Sequence, residues 1–366
     1  MHIVLISTPI GFLGSGKGGG VELTLSSLVN GLLAKGHKVD VVAPKNSKLI
    51  EASSKAKLHY VEGIEQKSWQ HQNYYSLVTI PNNSLLSGMI ERAIAIGKNA
   101  DIILNFSYDW LPIWMTLNIS IPIAHIISMG SESFVIRNLI SNVYAKYPYN
   151  FAFHSKIQAS DYPFIKNPII IGNGFKLDNY EFQDCKNGPL GWVGRVAPEK
   201  GLEDAAYVAN ELGEKLKVWG IIQDESYALK IEKMFSQGIL EWKGFLETDE
   251  LQKELGTCRA LLNTPKWNEA YGNVVVEALA CGVPVVAYKR GGPSEIIEHG
   301  KTGYLAIPDD KESLLRYLRI INKIDRKSCR EWVENNASSN IFASKVLQWL
   351  STIINENRAQ KFTIKN

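Results

Sequence analysis

The chain is poor in cysteine, has no excess of charge of one sign and contains no long apolar run. Its four cysteines, Cys185, Cys258, Cys281 and Cys329, show neither C-x-x-C spacing nor a paired framework. That excludes a disulfide scaffold and fits reduced thiols in a reducing compartment. Forty basic side chains against 37 acidic ones give a net charge of +3, too small and too scattered to argue for nucleic acid. The first apolar run, MHIVLIS, stops at Ser7-Thr8-Pro9. It lacks the basic leader of a signal peptide and is far shorter than the ~20 residues of a membrane span. The expectation is a soluble, cytoplasmic protein with no membrane span; the oligomeric state is left open. A hydrophobic fraction of 45% and a charged fraction of 21% exclude disordered and fibrous classes, and 366 residues suit two domains.

What is present is a repeated order of buried strand, loop and helix. Residues 2–7 (HIVLIS) run apolar without alternation, as expected of a strand covered on both faces of a parallel sheet. A glycine-rich loop follows, from Gly11 to Gly20. Residues 21–36 carry Val21, Leu25, Leu28, Leu32 and Leu33 at helical spacing and stop at Gly36, a helix-ending residue. A strand at 39–43 completes the opening of a doubly wound α/β domain. Strands at 101–105, 121–127, 150–154 and 169–171, with a helix over 110–117, continue the first half. The polar stretch 176–187 reads as a linker. The second half restarts with a strand at 190–193 and a helix over 202–212. Strands at 217–219, 260–263 and 283–287 then alternate with helices at 225–237, 248–257 and 272–281. Over 340–357, Phe342, Val346, Trp349, Leu350 and Ile353 fall at helical spacing, an amphipathic helix whose apolar face must find a partner. The expected fold class is α/β: two Rossmann-like parallel-sheet domains, 1–178 and 188–339, with 340–366 packing back on the first. Ligands are expected in a cleft at the carboxyl ends of the strands.

Three segments carry chemistry. In GFLGSGKGGGVE (11–22), Gly11, Gly16 and Lys17 match most of a phosphate loop, but Gly18 stands where Ser or Thr would hold magnesium, which argues against an ATPase or kinase. Gly18, Gly19 and Gly20 allow backbone N–H groups close to a phosphate or sugar at a helix N-terminus; a flexible loop without a ligand is the alternative. LGWVGRVAPEKG (190–201) places Arg195 and Lys200 in a loop leaving a strand. There they can neutralise a diphosphate or form a solvated surface pair. PKWNEAYGNVVVEALACGVPVVA (265–287) holds Glu269 in a loop and Glu277 on the helix opened by Gly272-Asn273. One carboxylate can meet sugar hydroxyls and the other a ribose diol, beside the N–H groups of Gly272, Asn273 and Val274. RGGPSEII (290–297) and GKTGYL (300–305) supply tight neighbouring loops.

Taken together, these segments resemble the GT-B-fold retaining glycosyltransferases of family 4 across nearly the whole chain: GGGVE with GHKVDVVAP, IIIGNGF, GRVAPEKGL and NEAYGNVVVEALACGVPVVA. The resemblance implies two Rossmann-like domains facing across a cleft and hexosyl transfer from a nucleotide sugar. It places Arg195 and Lys200 on the donor diphosphate and Glu277 on the ribose. Glu269 and the backbone of Tyr271, Gly272, Asn273 and Val274 would face the sugar, with Gly19 and Gly20 also at the donor. Arg195, Lys200 and Glu269 would be catalytic, configuration would be retained through an ion-pair-like transition state, and neither metal nor cofactor would be required.

One departure concerns a strand-end histidine common in that family. Here IPIAHIISMGSES (121–133) puts Ser128 in its place and His125 inside the strand, where a packed core histidine is the alternative to a ligand-facing one. Within the family, STPIGFLGSGKGGGVELTL, LNFSYDWLP, AHIISMGS, LGWVGRVAPEKGLEDA and TPKWNEAYGN resemble the pteridine glycosyltransferases, which use UDP-glucose and tetrahydrobiopterin. A reduced pterin wants an aromatic face and a carboxylate for its N–H edge. Tyr108, Asp109 and Trp110 supply both residue types, and His125, Ser128 and Glu132 complete the acceptor-side candidates. The structural alternative makes Asp109 a helix N-cap and Trp110 part of a buried face. The motifs do not separate uracil from guanine in the donor. The alternative function is the same chemistry on a lipid or polysaccharide. Its basic patch would have to come from Lys35, Lys38, Lys45, Lys48, Lys55 and Lys57, which run through strand and loop rather than one helix face. A non-catalytic sugar-nucleotide-binding protein would tolerate loss of Arg195, Lys200 or Glu269, and all three are present.

Overall fold

The computed structural model describes residues 1–15, 18–49 and 55–365. The chain divides into two compact units: Met1–Phe175 with Ser339–Asn366, and Lys176–Ser338. Among the described residues no helix is long and apolar enough to cross a membrane.

The first unit contains β1 (His2–Ile6), α1 (Gly20–Ala34), β2 (Lys38–Pro44), β3 (Lys57–Val61), α2 (Leu85–Gly97), β4 (Ile102–Asn105) and α3 (Trp110–Met115). It continues with β5 (Ile123–Ile127), α4 (Phe134–Lys146), β6 (Phe151–Phe153), α5 (Lys156–Ser160) and β7 (Ile169–Ile170). Its seven strands are parallel in the order β3-β2-β1-β4-β5-β6-β7. β1, β4 and β5 are covered on both faces, which is why their sequences run largely apolar without alternation, with Asn105 and His125 as buried polar exceptions. The expected strand and helix positions in this half match these elements to within a few residues. β3, α2, α4 and α5 have no counterpart among those expected positions.

The second unit contains β8 (Leu190–Val193), α6 (Leu202–Leu212), β9 (Leu216–Trp219), α7 (Glu225–Met234), β10 (Leu240–Gly244), α8 (Thr248–Gly256) and β11 (Ala260–Asn263). Then follow α9 (Asn273–Ala280), β12 (Val285–Tyr288), α10 (Pro293–Ile296), β13 (Gly303–Ala306), α11 (Lys311–Arg319) and α12 (Arg326–Asn336). Six parallel strands take the order β10-β9-β8-β11-β12-β13. In both sheets the order reverses beside the first strand, between β1 and β4 and between β8 and β11. Loops leaving such a pair diverge and open a crevice, so these loops are where ligand-binding side chains collect.

The last helix, α13 (Ser339–Lys365), belongs to the first unit. Phe342, Val346, Trp349, Leu350 and Ile353 join Leu25, Leu28 and Leu32 of α1 in one buried cluster. Close approach is possible because Gly31 has no side chain: a Cβ there would lie 2.6 Å from the Ser339 carbonyl oxygen and 2.7 Å from Ala343 Cβ. Ser27 and Ser339 join their hydroxyls at 2.7 Å, and the Trp349 indole donates to the Tyr149 carbonyl at 2.6 Å.

The stretch 176–187, read as a linker from its polarity, is built into the second unit. Buried Arg326 donates to the carbonyls of Gln183 (2.8 Å), Cys185 (2.6 Å), Cys258 (2.9 Å) and Gly256 (3.0 Å). Arg330 adds Tyr180 at 2.6 Å and Ala280 at 2.9 Å. Backbone carbonyls satisfied by a fixed guanidinium fork replace the apolar contacts that a sequence pattern could have shown.

Candidate active site

In the second unit the loops after β8 and β11 are joined by backbone and side chain. Lys266 N–H donates to the Glu199 carbonyl and the Thr264 hydroxyl to the Gly201 carbonyl, both at 2.8 Å. Gly201 has φ +65°, and a Cβ there would stand 2.1 Å from the Thr264 oxygen, so only glycine fits the contact. The loop after β12 joins them through Gly292 N–H to the Glu269 carbonyl at 2.7 Å.

On this frame the Lys200 ammonium is ion-paired with the Glu269 carboxylate, both side chains being largely buried, at 20% and 10% exposure. The ammonium also lies 5.2 Å from the centroid of the Trp267 ring. Arg195 donates to Gln223 Oε1 at 2.6 Å and approaches Glu199 at 3.4 Å. Two cations thus stand at the carboxyl end of β8, held by groups an anionic ligand can replace or join.

Beneath them lies a charged network. Tyr288, fully buried, donates to Asp204 Oδ2 at 2.6 Å, and Lys266 pairs with Asp204 and, at 3.0 Å, with Asp309. Arg290 pairs with Asp309 and donates to the Pro265 carbonyl at 2.8 Å. The network fixes the loops after β11, β12 and β13 to α6.

α9 starts at Asn273 with Gly272 as its N-cap at φ +108°, which puts Asn273 and Val274 in its first turn and Tyr271 just before it. One turn further, Glu277 is buried. Desolvation pushes its carboxyl up to about 7, although the Tyr180 hydroxyl, 3.3 Å away, acts in the opposite direction.

In the first unit Gly19 is the N-cap of α1 and Gly20 its first residue. Gly16 and Lys17 lie outside the described residues. The glycine loop is closed by Glu22, whose carboxylate accepts Gly14 N–H at 2.6 Å and Gly18 N–H at 2.8 Å. Leu13 ties the loop to the chain after β2, its N–H donating to Ser47 Oγ and its carbonyl accepting from Lys48, both at 2.9 Å. Part of the backbone that could face a phosphate therefore serves an internal carboxylate.

Three acceptor-side candidates are buried and hydrogen-bonded within the first unit. His125 is completely buried and stacked on Phe151 at 5.1 Å. Its Nδ1 meets Asn105 at 3.1 Å and its Nε2 meets Thr116 at 2.8 Å. Burial pushes its pKa down to about 3, so it is a neutral packing residue. Tyr108 is buried, its hydroxyl donating to the Gly130 carbonyl at 3.0 Å and meeting the Tyr162 hydroxyl at 3.1 Å. Asp109 caps α3, accepting Trp110 N–H at 2.7 Å, with Gln66 at 3.4 Å. Burial raises its carboxyl to about 6 against those hydrogen bonds.

Trp110, half-buried, opens α3. Ser128 and Glu132, also half-buried, lie on the loop leaving β5. That loop is held by Gln158, whose amide donates to the carbonyls of Ile127 (2.6 Å) and Met129 (3.0 Å). Desolvation first, and then the charge of Asp161, raises the Glu132 carboxyl. Asp161, Gln223, Trp267 and Glu22 were not singled out from the sequence. Each matters because of what its fold neighbours bring to it; Glu22 and Trp267 lie inside GGGVE and PKWNEAYGN, but the motifs do not show these contacts.

Residues 187–339 match the family described as "Glycosyl transferases group 1". Over 151 residues the chain is 34% identical to the sulfoquinovosyl transferase SQD2 of Arabidopsis thaliana, covering 39% of this chain but only 29% of that protein's length. An uncharacterized glycosyltransferase of Methanocaldococcus jannaschii is 25% identical over 77% of this chain and 84% of its own. Among solved structures, the sucrose-phosphate synthase of Thermosynechococcus elongatus superposes with TM-score 0.76 at 17% identity, covering 97% of this chain and 100% of that one. Anabaena HepE in complex with UDP and glucose gives TM-score 0.75 at 16% identity over 96% and 99%. The fold is shared with these GT-B glycosyltransferase structures, and residues 187–339 are similar to the group 1 family.

Proposed function

We propose that the chain is a retaining glycosyltransferase that moves glucose from UDP-glucose to a hydroxyl of a small acceptor, the side chain of tetrahydrobiopterin or a related pterin. The observation that carries the reading is the set Arg195, Lys200 and Glu269 on loops at the switch point of the second sheet, with Glu277 on α9 beside them in sequence. In this reading Arg195 and Lys200 hold the donor diphosphate and take up the charge of the leaving group, the term that usually dominates such a step. Glu277 accepts the ribose hydroxyls, and Glu269 meets the sugar. The C1–O bond to the diphosphate breaks and the acceptor oxygen bonds to C1 on the same face. The acceptor proton passes to a departing phosphate oxygen, so no separate side-chain base is needed.

The uridine donor is supported by HepE, a fold neighbour solved with UDP and glucose. The pterin is supported by the resemblance of the first-unit segments, with Trp110, Ser128 and Glu132 as the partly exposed candidates on that side.

A second reading, the same chemistry on a lipid, is favoured by one observation. The stretch from 72 to 80, which contains a turn at 74–75 and forms no strand, leaves Tyr75 74% and Leu77 81% exposed, with Ile80 and Phe134 also exposed. Soluble surfaces seldom gather such side chains without a partner.

Mass spectrometry of products from UDP-glucose with reduced biopterin, run beside UDP-glucose with a lipid acceptor and GDP-mannose with each, tests the reading. A hexosyl-pterin supports it. Transfer to lipid alone, or from GDP-mannose alone, replaces it.

A further inference from the structure

We propose that Trp267 is a positioning residue for Lys200, holding the ammonium where a donor diphosphate would meet it. The inference rests on the diphosphate role just given to Lys200. Lysine carries a flexible four-carbon stem and a strongly hydrated point charge, so a single carboxylate partner leaves the ammonium several places to go. Here it has two fixed boundaries, the Glu269 carboxylate and the face of the Trp267 ring at 5.2 Å.

The two partners act differently. Glu269 takes a short N–H···O contact, whereas the ring attracts the cation through its quadrupole and leaves the other ammonium hydrogens to oxygen acceptors. An incoming phosphate can therefore bind Lys200 while the ring keeps its place. Trp267 itself is fixed by its loop: Lys266 is bonded to Glu199 through its backbone and to Asp204 through its side chain, and the Glu269 carbonyl accepts Gly292 N–H.

Calorimetric titration of the full chain with UDP, supported by thermal unfolding to show that each variant is folded, tests this. Trp267→Leu is expected to weaken UDP binding about three- to tenfold, whereas Trp267→Phe, which keeps a ring face, stays within about twofold. Trp267→Gln replaces the leucine variant should the latter fail to fold. In a Lys200→Met background the Trp267 substitution is expected to have no further effect, because its partner is gone. Wild-type affinity in Trp267→Leu, or a loss that persists undiminished in the Lys200→Met background, overturns the inference and makes Trp267 a loop-packing residue. Unchanged UDP binding in Lys200→Met alone overturns the diphosphate role first, and this inference with it.

Discussion

The Lys200 ammonium and the Glu269 carboxylate form an ion pair between loops that leave different strands of one sheet, 69 residues apart in sequence. Each neutralises the other in a largely buried setting. A diphosphate reaching Lys200 would join a cation that is already ordered, and little rearrangement would be needed to bind it.

Lys200→Ala should therefore lower turnover with UDP-glucose by about 100-fold or more, while leaving Glu269 without its partner costs ~1–3 kcal/mol of stability. Release of UDP measured at saturating acceptor, with a thermal melt, gives both quantities. Near-normal turnover in a folded variant would rule out the diphosphate role.

Glu277 sets a pH dependence. Its carboxyl is pushed from the ordinary 4.5 up to about 7 because burial disfavours the charge. The stability it contributes is therefore complete below about 4.5 and is lost as pH rises through about 7. A ribose diol donates to the ionised carboxylate, so UDP affinity should fall by up to about tenfold for each pH unit below 7. Binding near neutrality should also release a proton, seen as a buffer-dependent enthalpy in calorimetry. Glu277→Gln should remove both effects; an affinity flat from about pH 5.5 to 8 in the native protein would refute the assignment.

Glu22 organises the glycine loop from inside. In Glu22→Ala the amides of Gly14 and Gly18 lose their acceptor, and amide hydrogen exchange at both should speed up while β1 and α1 stay protected. The cost in stability is expected to be about 1–3 kcal/mol. Unchanged exchange at Gly14 and Gly18 would show that the loop holds its shape without the carboxylate.

Gly31 tests the seat of the last helix. A valine there would meet the Ser339 backbone and Ala343, and overpacking of this kind costs about 1–3 kcal/mol. Truncation at about residue 340 removes Phe342, Val346, Trp349, Leu350 and Ile353 from the core of the first unit and should be more severe than Gly31→Val. Thermal unfolding of both variants is the check; a melt unchanged by truncation would mean that the first unit does not need α13.

The fold class could be read from the sequence, because a strand covered on both faces is apolar along most of its length, and β1, β4, β5, β8, β11 and β12 show it. Edge strands answer to water on one side: β3 (KLHYV) and β10 (LEWKG) carry charges and keep partial exposure, so they left no such signature. The second-unit candidates were legible as well, since Arg195, Lys200, Glu269 and Glu277 stand in compact motifs whose spacing follows from a strand, a loop and a helix start. Tertiary structure alone decided partners. His125 looked the same in sequence whether it faced a ligand or the core; Asn105 and Thr116, brought to its two ring nitrogens by β4 and the end of α3, made it a core residue. Likewise nothing near Lys200 in the chain announces Glu269 or Trp267. Those contacts depend on the parallel crossover that sets the loops after β8 and β11 side by side, and pairing of that kind is a property of the folded sheet rather than of local spacing.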